Sequence, residues 1–111
     1  MVTPKEIWRI SLADTEGHEQ RGDRPAVVLA IHDGANVSMV IPFTSNLDYS
    51  RFPYSYRLNC SRENGLDCDS IVLVFQMRTI DNRRFLGRLG VVSQIDYDRI
   101  MLLVKGYLRI Q

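Results

Sequence analysis

Two turn dipeptides, Asp33-Gly34 and Asn64-Gly65, each lie between short apolar runs, and this punctuation does most to restrict what the chain can fold into. Such dipeptides accept the backbone angles that tight reversals require, so flanking apolar runs read as paired strands. The runs are β-length. Residues 6–11 alternate in polarity and read as a strand. Residues 26–31, AVVLAI, are apolar on both faces and read as a buried strand, with Pro25 at its first position, where a missing N–H costs least. Residues 37–43 follow the Asp33-Gly34 turn as its hairpin partner, residues 55–60 alternate, and residues 70–75 form a β-branched core strand. Residues 76–81 follow, and residues 85–92 supply one more strand. Only the last segment changes period. Tyr97, Ile100, Met101, Val104 and Leu108 make one helical stripe, with Ser93 and Asp96 spaced as a capping box and Gly106 weakening the last turn. The expectation is a mainly β (α+β) fold: a small, strongly curled sheet or half-open barrel of five to seven strands with a C-terminal helix.

A chain of 111 residues without repeat or linker is expected to be one domain, residues 1–111. A formal net charge of +1 argues against a protein held to duplex DNA by bulk charge. It leaves room for a local basic groove, because twelve of the fourteen basic residues are Arg, which matches phosphate with a two-pronged donor pair. No apolar stretch approaches a membrane span and the N-terminus has no signal-peptide core, so a cytoplasmic location and no membrane partner are expected. Cys60 and Cys68 flank SRENGLD. Two ligands are too few for a structural zinc site, and in a reducing compartment free thiols are favoured over the hairpin disulfide that the spacing allows.

The chemistry-bearing residues concentrate before and after the strands. The polar loop of residues 13–24 holds GHEQRGDRP at residues 17–25. Most such loops are only solvated connections, yet this one mixes imidazole, carboxylate, amide and guanidinium, and long loops are often functional. His18 titrates near neutral pH and can carry a proton; Glu19 can accept one or hold a partner. Arg24 stands at the mouth of the buried strand, as either a phosphate clamp or a salt-bridge partner of Asp23 or Asp81. Thr44 and Ser45 end the third strand, where hydroxyls either donate to phosphate or cap the next turn. If strands two and three pair through Asp33-Gly34, Arg24 and Thr44 become neighbours. In FQMRTID, Gln76 can read a base edge and Arg78 can contact phosphate; alternatively Arg78 pairs with Asp81. Tyr49, Phe52 and Tyr54 either stack on unpaired bases or belong to a core or interface. His32 sits beside a turn and is expected to be exposed. There is no Ser-His-Asp spacing, P-loop or metal cluster.

These blocks together resemble the MazF/PemK family of toxins. EIWRISLADTEGHEQRGDRPAVVL is similar to the family's opening strand, G-x-E-Q loop and R-P-x-V-x; VIPFTSN to its third strand ending in T-S; DSIVLVFQMRTID to its Q-x-R-T-I-D block. The resemblance spans nearly the whole chain. It implies an SH3-like half-open barrel that works as a homodimer, cleavage of single-stranded RNA without metal or other cofactor, and a cognate antitoxin that covers the RNA groove. It implies Arg24 and Thr44 as the catalytic pair, with His18 as proton carrier, and Glu19, Gln20, Ser45, Gln76 and Arg78 as substrate contacts. One departure stands out. Several relatives carry an acid immediately before the Gln of this block, and some an Arg two positions earlier; here those places hold Phe75 and Leu73. Two rival readings stay open: a non-catalytic binding toxin on the same scaffold that poisons gyrase, and a degenerate RNA-binding homologue.

Overall fold

The computed structural model describes residues 1–12 and 22–110. Among these residues seven strands are present: β1 (Glu6–Ser11), β2 (Asp23–His32), β3 (Val37–Thr44), β4 (Ser55–Leu58), β5 (Ser70–Leu73), β6 (Arg78–Asp81) and β7 (Phe85–Val91). They are followed by one helix, α1 (Gln94–Leu108). The strand order is β4-β5-β3-β2-β1-β7, all antiparallel, with β6 added on β3. Edges β4 and β7 do not pair, so the curled sheet stays open, as the half-open barrel expectation requires.

β3 is the spine. Its first half, Val37 to Val40, pairs with β6, and its last two residues, Phe43 and Thr44, pair with β5. Between them the chain inserts the 3-10 helix Val74–Gln76. Strand β5 therefore ends at Leu73, and Val74 and Phe75 are not strand residues as their β propensity suggested. Two prolines fall where the β2–β3 ladder stops. Pro42 lies between the two halves of β3, and Pro25 lies just beyond the last β2–β3 pair, Ala26–Pro42. Pro25 is the third residue of β2, not its first, since Asp23 and Arg24 already pair with Ser11 and Ile10 of β1. The segment expected as a plain loop over residues 46–53 contains a 3-10 helix, Leu47–Arg51, started by Asn46, whose side chain accepts from Asp48 N at 3.1 Å.

Alternation on these strands separates two cores. Ile7, Val27, Ile41, Phe43, Val72 and Val74 face the larger one, which Ile100 and Val104 of α1 cover. Ile10, Leu12, Ala26, Val28, Val40 and Ile80 face a smaller one, rimmed by Trp8 and Phe85 in an edge-on ring contact at 5.5 Å. The double-sided burial expected for residues 26–31 holds for Ala26, Val27 and Val28 only; past the β2–β3 bulge Ala30 is exposed. The helix starts as its capping box predicts: Ser93 Oγ accepts from Asp96 N at 3.1 Å. Leu108 departs from the expected stripe and is half exposed.

Glu6 ties β1 to β7. Its carboxylate accepts from Thr3 N at 2.8 Å, Trp8 Nε1 at 3.0 Å and Arg88 Nε at 2.8 Å. Burial by itself would raise its pKa, but the bonds from Trp8, Arg88 and Thr3 outweigh burial and hold it down at about 2 against an ordinary 4.5. A depressed carboxyl pKa stabilises the fold above the unfolded value, and that stability is lost as pH falls through the folded one. The urea midpoint is therefore expected to drop between pH 4.5 and about 2 more steeply in the native chain than in Glu6→Gln, measured by fluorescence of Trp8. Identical slopes would remove Glu6 from the acid transition.

Candidate active site

The β2–β3 ladder runs Val28–Val40, Val27–Ile41, Ala26–Pro42. Carried two residues further, the same register sets Arg24 opposite Thr44. Opposed residues of an antiparallel pair project to one face, here the face that carries Ala26, Val28 and Val40 into the smaller core. Arg78 is paired with Val40 and so joins that face from the other side of β3. The two guanidinium-bearing positions thus flank the strand whose end carries Thr44, about 13 Å of strand apart along β3. The smaller apolar core forms the floor beneath them.

Thr44 is 4% exposed overall. Its Oγ1 accepts from Asn46 N at 3.2 Å, which orients the hydroxyl and leaves its proton to be donated. The capping use of this hydroxyl and the binding use are therefore compatible. Ser45 is exposed just beyond it. Arg24 is half buried in β2, with its backbone fixed by the Ile10 pair. Gln76 ends the 3-10 helix Val74–Gln76, and Phe75, Gln76, Met77 and Arg78 line an open cavity of about 250 Å³. Asp81 is occupied: it accepts from Arg83 N at 2.8 Å and from the Arg83 guanidinium at 3.1 Å, and the Arg83 side chain lowers its pKa. His32 is exposed, and its Nδ1 accepts from Ala35 N at 3.0 Å, a turn-holding role. His18, Glu19 and Gln20 lie outside the described residues.

The structure also assembles a group the sequence reading had divided differently. Tyr49 meets Phe52 edge-on at 5.5 Å, and Phe52 meets Phe75 at 6.0 Å. The guanidinium of Arg51 lies 5.0 Å from the Phe52 ring centre. Tyr54 leaves this row and pairs instead with Tyr107 of α1 at 5.3 Å. Phe75, expected as a core strand residue, is half buried at the cavity mouth because the 3-10 turn swings it out of β5. The only sequence signal for the row was the three-residue spacing of Tyr49 and Phe52, which one 3-10 turn brings to one side.

Among the described residues no three His, Cys, Asp or Glu side chains are grouped to hold a metal ion, and no helix is long and apolar enough to cross a membrane. The arrangement offers guanidinium and amide donors at an open cavity, with the buried Thr44 hydroxyl and the half-buried Arg24 apart from it. That donor set suits a phosphodiester with exposed bases.

The family of PemK-like, MazF-like toxins of type II toxin–antitoxin systems matches residues 3–107. Endoribonuclease MazF9 of Mycobacterium tuberculosis is 30% identical over 116 aligned positions, covering 97% of this chain and 97% of that protein. A crystal structure of MazF from Deinococcus radiodurans superposes with a TM-score of 0.80 at 22% identity, covering 96% of this chain and 94% of that one. A mycobacterial endoribonuclease in complex with its cognate antitoxin superposes at 0.76 with 13% identity, covering 100% and 98%. With the ordered sequence blocks, the open seven-stranded sheet and the terminal helix all in place, the chain belongs to the PemK-like, MazF-like toxin family of type II toxin–antitoxin systems.

Proposed function

We propose that this chain is the toxin of such a pair and that it is an endoribonuclease acting on single-stranded RNA at short sequence motifs, without metal. The observation that supports this reading is the β2–β3 register, which, continued two residues past its last pair Ala26–Pro42, runs Arg24 toward Thr44. The ribose 2′-OH attacks the adjacent phosphorus, and the 5′-oxygen of the next nucleotide leaves, giving a 2′,3′-cyclic phosphate and a 5′-OH. Arg24 stabilises the charge that builds on the phosphorane. The Thr44 hydroxyl, already aimed by Asn46, holds a non-bridging oxygen with Ser45 and aligns the attack. Gln76 and Arg78 contact a flanking nucleotide. With Phe75 where several relatives carry an acid, proton transfer falls to His18, helped by Glu19, while Gln20 contacts the substrate. The row of Tyr49, Phe52 and Phe75 beside the cavity supplies ring edges and faces for unpaired bases.

The whole chain, residues 1–111, then works as one domain. The related mycobacterial endoribonuclease bound to its antitoxin supports a cognate antitoxin as partner here. Exposed Leu102 and Ile110 on and beyond α1 give a second copy apolar surface to cover, consistent with a homodimer in the cytoplasm.

The test is incubation of the purified chain with a long mixed-sequence RNA, and with DNA of the same sequence, in excess chelator. Cleavage of the RNA alone is expected, because DNA lacks the attacking hydroxyl, with 5′-OH ends clustered at one motif. A requirement for added divalent metal, or equal cutting of DNA, would overturn the scheme.

A further inference from the structure

The sheet is open between its edges β4 and β7, yet those edges are joined. The β4–β5 connection, residues 59–69, reaches over the gap, and Val91 N of β7 donates to Glu63 O at 2.9 Å. The backbone of Gly90 packs directly on that of residues 63 and 64. The connection is built to stay in this shape. Asn64 is 4% exposed; its Oδ1 accepts from Ser61 N at 2.9 Å and Leu66 N at 3.1 Å, and its Nδ2 donates to Asn59 O at 2.9 Å. This segment is a latch across the mouth of the half-barrel, and Cys60 and Cys68 stand on the two sides of its neck.

The β4–β5 ladder runs Tyr56–Val72, Arg57–Ile71, Leu58–Ser70. Carried two residues further, its register sets Cys60 opposite Cys68. The chain bends at Asp67 and Cys68, and a side chain takes over the next rung: Cys60 N donates to Asp69 Oδ1 at 2.9 Å, holding position 60 against the residue that follows 68. Both thiols are free and exposed. We propose that Cys60 and Cys68 are a redox-modified pair, joined by exchange with a low-molecular-weight disulfide into an intrachain bond that staples the latch.

The chemistry balances. The Cys68 thiolate attacks one sulfur of oxidised glutathione, releasing one glutathione thiolate and leaving a mixed disulfide on Cys68. Cys60, once deprotonated, attacks Sγ of Cys68 and expels the second glutathione. The protein loses two thiol protons and two electrons, and the small disulfide is reduced to two thiols. A hydrogen bond to the Asp69 carboxylate, helped by partial desolvation, pushes the Cys60 thiol above its ordinary pKa. Attack needs the thiolate, so the closing step speeds up as pH rises toward that elevated value.

The full chain is incubated with oxidised glutathione at pH 8, and alkylation and mass are then compared with the reduced form. The expected product has lost two hydrogens, has no alkylatable thiol, runs as a single chain on a non-reducing gel and yields a peptide joining positions 60 and 68. Cys60→Ser should instead stop at one glutathione adduct on Cys68. Closing so short a loop should raise Tm by on the order of 10 °C, reversed by dithiothreitol. Two stable glutathione adducts on the native chain, or bonds only between chains, would overturn the pairing. A correctly formed bond with unchanged Tm would overturn the staple.

Discussion

Arg24→Ala is expected to lower kcat for RNA cleavage by about 10²–10³ while leaving the fold intact. The size follows from what the guanidinium does. During attack the phosphate gains a full extra negative charge, and a donor that meets this charge better than the ground-state phosphate acts on kcat more than on KM. The fold should survive because the position is held by backbone: Arg24 pairs with Ile10 within β2, and truncation beyond Cβ leaves that ladder untouched. Arg24→Lys should recover only part of the rate, since one ammonium cannot span two phosphate oxygens as the planar fork does. Single-turnover cleavage of a short RNA carrying the mapped motif reads the effect directly, with circular dichroism as the control for folding. Wild-type cleavage by the alanine variant would sink the role given to Arg24 and, with it, the significance of its register with Thr44.

Much of the fold was legible in the sequence. The Asp33-Gly34 turn and the flanking apolar runs imply the β2–β3 hairpin, but its register at the turn, His32–Val37, runs residue 24 toward residue 45, and only the bulge between Val28 and Ala30 shifts it toward residue 44. The capping box at Ser93 and Asp96 marked the start of α1 to the residue. What misled was local propensity where a tertiary demand overrode it. VLVF reads as continuous strand, but β3 must exchange β6 for β5 as partner, and the 3-10 turn at Val74–Gln76 absorbs the offset. That same turn takes Phe75 out of the core and makes it a wall of the candidate site. Nor does any pattern in residues 59–69 announce a latch. Asn64-Gly65 reads as an ordinary hairpin turn, and only the placement of β7 shows that it reaches across to the opposite edge.

That latch makes Gly90→Ala, a substitution of one methyl, strongly destabilising. A Cβ at Gly90 would lie 2.3 Å from Glu63 O, 2.5 Å from Asn64 C and 2.7 Å from Asn64 O, all backbone atoms that no rotamer change can move aside. The latch must lift or β7 must shift. Lifting breaks the Val91–Glu63 hydrogen bond and opens the buried Asn64 network and Leu66 to water. Overpacking of this kind, with loss of a buried polar network, costs roughly 2–4 kcal/mol, against a total stability of about 5–15 kcal/mol for a domain. Gly87→Ala is the matched control: it lies on the same strand, and its added Cβ meets nothing within 4 Å. Its effect should stay within about 0.5 kcal/mol. Urea unfolding of both variants separates steric closure of the latch from any general intolerance of β7 to a side chain. If the two midpoints fall together, the bridge between the open edges contributes little, and the half-barrel is held by its two cores and by α1 alone.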